Sequence, residues 1–143
     1  MIEISTEAAV TPKNAATIML IRGAADLPEI FMVKRTSKAR FMASAMVFPG
    51  GRLDDIDLSD ELAEKCDLSR DAAGKRLAME DGTLALGLHI AALRETYEEA
   101  GVLLAQRKNG PIALDTPTDK ALFAKWRDRL NEGDANLLEM VCA

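Results

Sequence analysis

Arg94-Glu95-Thr96-Tyr97-Glu98-Glu99-Ala100-Gly101-Val102 is the stretch that decides how the rest of the chain is read. A helix turns by about 100° per residue, so Glu95, Glu98 and Glu99 fall within roughly a 100° arc of one face. Three carboxylates there repel one another. They also crowd the last turns of the helix, where the dipole is already negative and a cation is preferred. Each misplacement costs about a few tenths of a kcal/mol at a surface. Taken alone, three such glutamates are most often a solvated charged face. Repeated violation of a local rule is also what a functional site looks like, and clustered oxygen ligands suit a hard cation such as Mg²⁺ or Mn²⁺. Arg94 is placed to pair with Glu98 four residues on.

Working outward, the stretch closes a long helix predicted over Thr83–Gly101, with Thr83 as cap and Gly101 as the left-handed residue that ends it. Leu84, Leu86, Leu88, Ile90, Ala91, Leu93 and Tyr97 give it apolar contacts on more than one side, so it is expected to be buried along much of its length. Val102–Ala105 reads as a strand and Arg107–Pro111 as a loop. Thr118–Asn131 reads as an amphipathic helix, and Asn136–Val141 begins another. Upstream, Ala15–Arg22 reads as a buried strand, Gly23–Pro28 as a turn and Glu29–Arg35 as a second strand, the two pairing as a hairpin. Thr36–Met42 is a basic connection with Lys38 and Arg40. Ala45–Phe48 is a third strand, stopped by Pro49-Gly50-Gly51, and Arg52-Leu53 extends it. From Asp54 to Gly82 the texture becomes polar and helix-prone. Ser59 is a candidate cap for one helix there, and Ser69–Met79 forms a second, weakly broken at Gly74. Strands and helices on one short chain predict an α/β class.

With 143 residues there is room for one domain, and 48% hydrophobic against 29% charged residues is the balance of a globular protein. Aromatics are only 4%, so aliphatic side chains and seven Met fill the core. A net charge of −5 argues against a nucleic-acid partner held by a basic surface. The N-terminal segment is acidic, its first base is Lys13, and the apolar run Ala15–Ile21 is strand-sized. The chain is thus expected to be cytoplasmic, with no membrane segment. Cys66 and Cys142 lack metal-ligand spacing and are expected to be reduced and structural. His89, the one histidine, lies in the apolar part of the main helix and reads as packed. Trp126 belongs to a stripe with Leu122, Phe123 and Leu130 that reads as core.

The segment 94–102 resembles the box of the Nudix hydrolase family, whose signature ends in Arg-Glu-apolar-any-Glu-Glu-any-Gly-apolar. Every fixed position matches, with Thr96 standing for an apolar residue. The family also places a glycine pair after a strand, and Val47-Phe48-Pro49-Gly50-Gly51 fits. One departure stands out. Arg94 follows Gly51 by forty-three positions where the usual box has fourteen, a surplus of twenty-nine. The family's earlier glutamate, counted back from Arg94, falls on Leu86; Glu61, Glu64 and Glu80 are candidates to replace it. An insertion at this point resembles the branch of coenzyme A diphosphatases with an interrupted box. The stretch Phe31–Met42 leading to Val47–Gly51 loosely resembles the approach to the box in coenzyme A-type members.

The resemblance implies an α/β/α sandwich with a mixed sheet, spanning residues 12–143, with 54–82 as a helical insertion. The closing strands and helix that the sandwich would need after Gly101 are not visible, so the chain reads as a domain short of its C-terminal part. The implied activity is metal-dependent hydrolysis of a diphosphate linkage in a nucleoside diphosphate derivative, coenzyme A or acyl-coenzyme A among them. The alternatives are an ADP-ribose or dinucleotide pyrophosphatase and a non-catalytic binding module of the same fold. Carried over by position, Glu95, Glu98, Glu99 and the Gly50 carbonyl would hold Mg²⁺ or Mn²⁺, with Glu95 also able to orient and deprotonate water. Arg94 would brace the glutamates, Gly51 would let the backbone approach, and Gly101 would make the turn. Lys34, Arg35, Arg40 and Arg52 are candidates to meet phosphate charge. The expected partner is a small diphosphate, and the oligomeric state is left open, a homodimer included.

Overall fold

A computed structural model of the chain describes residues 11–36, 44–107, 110–112 and 114–143. Its axis is the long helix, Gly82–Ala100. The start is fixed by Asp81, whose side chain accepts the N–H of Leu84 at 2.9 Å. The cap therefore sits two residues before the expected Thr83. A charged aspartate at this end also complements the helix dipole, which a threonine cannot do. The end is as predicted: Gly101 has φ 70° and its N–H donates to the Tyr97 carbonyl at 2.8 Å.

Among the described residues the chain forms five α-helices. α1 (Asp60–Ala63) and α2 (Arg70–Leu77) are capped by Ser59 and Ser69, each accepting an amide at 3.2 Å. Gly74 lies buried inside α2 without breaking it. Both helices pack on the N-terminal half of α3 (Gly82–Ala100), where Leu62, Ala73, Ala85, Leu86 and Ile90 form one buried cluster. The polar stretch after Asp54 thus buries its few apolar side chains on the central helix. α4 (Pro117–Glu132) and α5 (Leu137–Cys142) cover the other half of α3. Tyr97, Leu130 and Met140 are buried there, with Phe123 and Trp126 packed around them. Trp126 is thus core-side, with the Arg129 guanidinium 4.5 Å from its ring centroid. His89 is half-buried, and its Nδ1 lies 2.9 Å from the Ala85 carbonyl of its own helix. Both cysteines are unpaired.

The strands differ from expectation in three ways. First, the stretch expected as one strand over Ala15–Arg22 is divided. β1 (Ala15–Thr17) pairs antiparallel with β6 (Gly50–Arg52), while β2 (Ile21–Ala24) pairs with β3 (Leu27–Ile30) in a hairpin closed by Ala25-Asp26. The chain changes partner at residues 18–20, where isolated bonds replace a ladder: the Ile18 N–H donates to Pro49 and the Phe31 N–H to Leu20. Second, the end of the strand expected to be buried is exposed where it enters the hairpin, with Ile21 at 61% and, across the hairpin, Leu27 at 78% exposure. Third, Val102–Ala105 joins no ladder, and pairing begins only at β7 (Gln106–Arg107) with β8 (Gly110–Pro111). β4 (Val33–Lys34) pairs with β5 (Met46–Val47), inside the expected third strand. Among the described residues the strands form four antiparallel pairs instead of one mixed sheet. Lys38 and Arg40 lie outside the described residues.

Leu86 fills the space between α3 and the two helices before it, at 3% exposure. Leu86→Ala is expected to lower the unfolding free energy by about 2–5 kcal/mol, measured by urea denaturation.

Candidate functional site

The glycine pair brings a strand against the acidic end of α3. In β6, Gly50 pairs with Thr17 and Gly51 with Ala16. A Cβ on Gly50, whose φ is 153°, would lie 2.3 Å from the Ala16 carbonyl oxygen. A Cβ on Gly51 would lie 2.1 Å from Glu95 Oε1. A larger residue at position 50 would push β1 and β6 apart, and one at position 51 would displace the Glu95 carboxylate. The contact is also polar: the Gly50 N–H donates to Glu99 Oε2 at 3.2 Å.

Arg94 organises the other side of the seam. Its side chain is 5% exposed and spends every nitrogen. Nε and Nη2 donate to the two oxygens of Asp57 at 3.0 and 2.9 Å, a bidentate pair. Nη2 also donates to the Arg52 carbonyl at 2.9 Å and lies 3.3 Å from Asp54. Nη1 donates to Glu98 at 3.0 Å and to Glu95 at 3.3 Å. Asp57 is wholly buried and accepts a further bond from the Asp54 N–H at 2.9 Å. Burial opposes the guanidinium's charge, but the hydrogen bond and charge of Asp57, aided by Glu98 and Glu95, outweigh it and raise its pKa. For Glu95 and Glu98 the balance tips the other way. Burial raises both above the ordinary glutamate value despite the pull of Arg94.

Asp57 is the residue that the sequence reading passed over. Counting back from Arg94 leads to Leu86, which is core. Counting forward six positions from Gly51 leads to Asp57. Glu61, Glu64 and Glu80 are exposed, and none is among the partners of Arg94. The surplus residues therefore follow the acidic position rather than displace it. Thr96, in the apolar position of the motif, is buried and satisfies its hydroxyl on the Ala92 carbonyl at 2.7 Å.

The structure thus gathers Gly50, Gly51, Arg94, Glu95, Glu98 and Glu99 at one seam. Glu95 and Glu98 are turned onto Arg94, and Glu99 onto Gly50. Among the described residues no group of three or more His, Cys, Asp or Glu side chains stands close enough to cage a metal ion in this arrangement. The seam nonetheless gathers three carboxylates, oxygen ligands of the kind a hard divalent cation takes. Beside them opens a cleft of ≈ 830 Å³ that Lys34, Arg35, Phe48, Glu98, Glu99 and Arg127 help to line.

No family model matches the chain. It is 28% identical over 138 residues to the acyl-coenzyme A diphosphatase NUDT19 of Xenopus laevis, covering 78% of this chain and 36% of that protein. To NUDT19 of Gallus gallus it is 30% identical over 145 residues, with 78% and 37% covered. The chain therefore spans little more than a third of the length of these relatives. Among solved structures it is similar to a NUDIX hydrolase from Alicyclobacillus acidocaldarius, with a TM-score of 0.56 and 31% identity over 87% of this chain and 54% of that one. The chain belongs to the Nudix hydrolase family, and its resemblance is to the coenzyme A diphosphatase-like members. Members of this family generally require divalent metal ions. No helix among the described residues is long and apolar enough to cross a membrane.

Removing Asp57 leaves the Arg94 charge buried without its main partner. Asp57→Ala is expected to cost about 3–5 kcal/mol of stability by urea unfolding, far more than substitution of exposed Asp55. A pH effect follows from Glu95 and Glu98. The folded chain holds their protons longer than the unfolded chain, so their contribution to stability falls as pH rises through the carboxylate range. In metal-free buffer, Glu98→Gln is expected to flatten the fall in Tm between acid and neutral pH; an unchanged slope would contradict this.

Proposed function

We propose that this chain carries the catalytic part of a diphosphatase that cleaves the diphosphate linkage of coenzyme A or an acyl-coenzyme A with a divalent cation, Mg²⁺ or Mn²⁺. The observation that carries the reading is the seam itself: a glycine strand against Glu95 and Glu99, with Glu95 and Glu98 braced by an arginine that a buried aspartate locks. The acyl-coenzyme A diphosphatase names of the relatives support the substrate class. A bound cation would neutralise the diphosphate and acidify the attacking water. Glu98, Glu99 and the Gly50 carbonyl are the ligands, with Glu95 a further ligand or the base.

This chain's own groups then divide the work. Glu95 holds a raised pKa, which suits a carboxylate that takes a proton from water at its Oε atoms. Arg94 keeps the rotamers of Glu95 and Glu98 aimed along the seam. Lys34 and Arg35 face the cleft with positive charge for the remaining phosphate oxygens. The apolar wall at Val47 and Phe48 lies beside them, where the non-phosphate part of the substrate can rest. Residues 12–143 are read as one domain, and the helical insertion expected over 54–82 begins after Asp57. The net charge of −5 argues against a nucleic-acid partner held by a basic surface.

The test is product release with Mg²⁺ or Mn²⁺ from coenzyme A, acyl-coenzyme A, ADP-ribose, NADH and dinucleoside polyphosphates. Coenzyme A derivatives are expected to turn over fastest. Preference for ADP-ribose or a dinucleotide would replace the substrate class, and no turnover by folded, metal-binding protein would favour a binding module. Glu98→Gln and Glu99→Gln are each expected to lose at least about 100-fold in kcat while remaining folded by circular dichroism. Full activity in both would refute the ligand assignment.

A further inference from the structure

The helix that carries the glutamates has no basic residue in its last turn. Its terminal carbonyls therefore add their partial negative charge to three carboxylates, and a cation must come from elsewhere. It comes from α4. Arg127 Nε donates to the Glu98 carbonyl at 2.9 Å and Nη2 to the Glu99 carbonyl at 2.7 Å. Asn131, one turn on, donates through Nδ2 to the same Glu98 carbonyl at 3.2 Å and to the Arg127 carbonyl at 3.0 Å. The guanidinium packs over the turn at Gly101, with Nη1 3.6 Å from the space a Cβ there would occupy. Among the described residues Arg127 forms no ion pair with a carboxylate. Its charge is directed at the main chain of the two residues whose side chains matter most. Arg127 and Asn131 also line the cleft with Glu98 and Glu99.

We propose that Arg127, supported by Asn131, is a positioning residue for the metal-ligating glutamates. It clamps the backbone of Glu98 and Glu99 and offsets the negative end of α3, so that both carboxylates leave the helix from a fixed main chain. The proposal rests on the metal reading above. A planar fork is needed because two adjacent carbonyls are bridged at once, which an ammonium at the end of a lysine cannot do. The clamp explains how an acidic helix end without its own cations stays ordered at a strand it must meet within hydrogen-bond distance.

The experiment measures Mn²⁺ binding to the substrate-free protein by electron paramagnetic resonance, with kcat and KM on the best substrate alongside. Arg127→Met is expected to weaken Mn²⁺ binding about tenfold and to lower kcat with KM held within about twofold. Arg127→Lys should recover only part of the loss, and Asn131→Ala should weaken binding by about two- to threefold. Leu130→Ala is the control for simple loosening of the same helix pair, because the Leu130 side chain is buried with Tyr97 and Met140 and makes none of the clamp's hydrogen bonds. It should lower Tm and leave Mn²⁺ affinity unchanged. Wild-type Mn²⁺ affinity in Arg127→Met, or a rise in KM alone, overturns the proposal and makes Arg127 a substrate contact or a structural tie. If Arg127→Met fails to fold, Asn131→Ala decides by the same readout. Glu98→Gln separates the two levels. If it too binds Mn²⁺ normally, the metal reading has failed; if it loses the ion while Arg127→Met keeps it, only the clamp has failed.

Discussion

The buried pair between Arg94 and Asp57 is the constraint from which the site follows. A guanidinium at 5% exposure beside a carboxylate at 0% has left water almost completely. That desolvation is offset only because each donor and acceptor is spent: two bonds within the pair, one from the Asp54 amide, one to the Arg52 carbonyl. These bonds tie a strand end and the turn that follows it to a helix residue thirty-seven to forty-two positions further on. The strand end at Arg52, the turn at Asp54–Asp57 and the middle of α3 cannot move independently. The remaining nitrogen of Arg94 then reaches Glu95 and Glu98, so the interaction that locks the scaffold also aims the acidic face.

α3 carries two duties that pull in opposite directions. Its first half is a core element, with Ala85, Leu86 and Ile90 buried against α1 and α2. Its last turns collect negative charge where the dipole opposes it. The fold reconciles them from outside the helix. Arg94 and the Gly50 amide hold the side chains, and α4 supplies the donors that the terminal carbonyls lack. The glutamates consequently occupy an arrangement in which each is paired, and burial raises the Glu95 and Glu98 carboxyls from the ordinary glutamate value. Cation binding would exchange the partners of these carboxylates rather than build a new cluster.

The central helix, its glycine stop and the helices at Ser59, Ser69 and Asn136 were legible because each has a local signal: a 3.6-residue apolar period, a side-chain cap or a left-handed glycine. The convergence of Gly50 and Gly51 with the glutamates was legible from motif order. Asp57 was not, because its role lies in a contact across thirty-seven positions, and only the forward count from Gly51 points to it. The partner change within residues 15–22 was also hidden. Period and composition say that a segment is extended, but they do not say with what it pairs. The strand over Ala15–Arg22 read as buried for the same reason, since burial depends on what covers a strand. Arg127 carried no signal beyond its place on an amphipathic helix, as its partners are backbone carbonyls that no residue type announces.

The account stands on one location for the cation. Anomalous diffraction from crystals grown with Mn²⁺ tests it directly. The predicted result is a peak at the seam, bounded by the Gly50 carbonyl and the carboxylates of Glu95, Glu98 and Glu99, with the Arg94–Asp57 pair intact behind them. A peak elsewhere on the chain, or none in crystals of protein that hydrolyses its substrate with Mn²⁺, would contradict it.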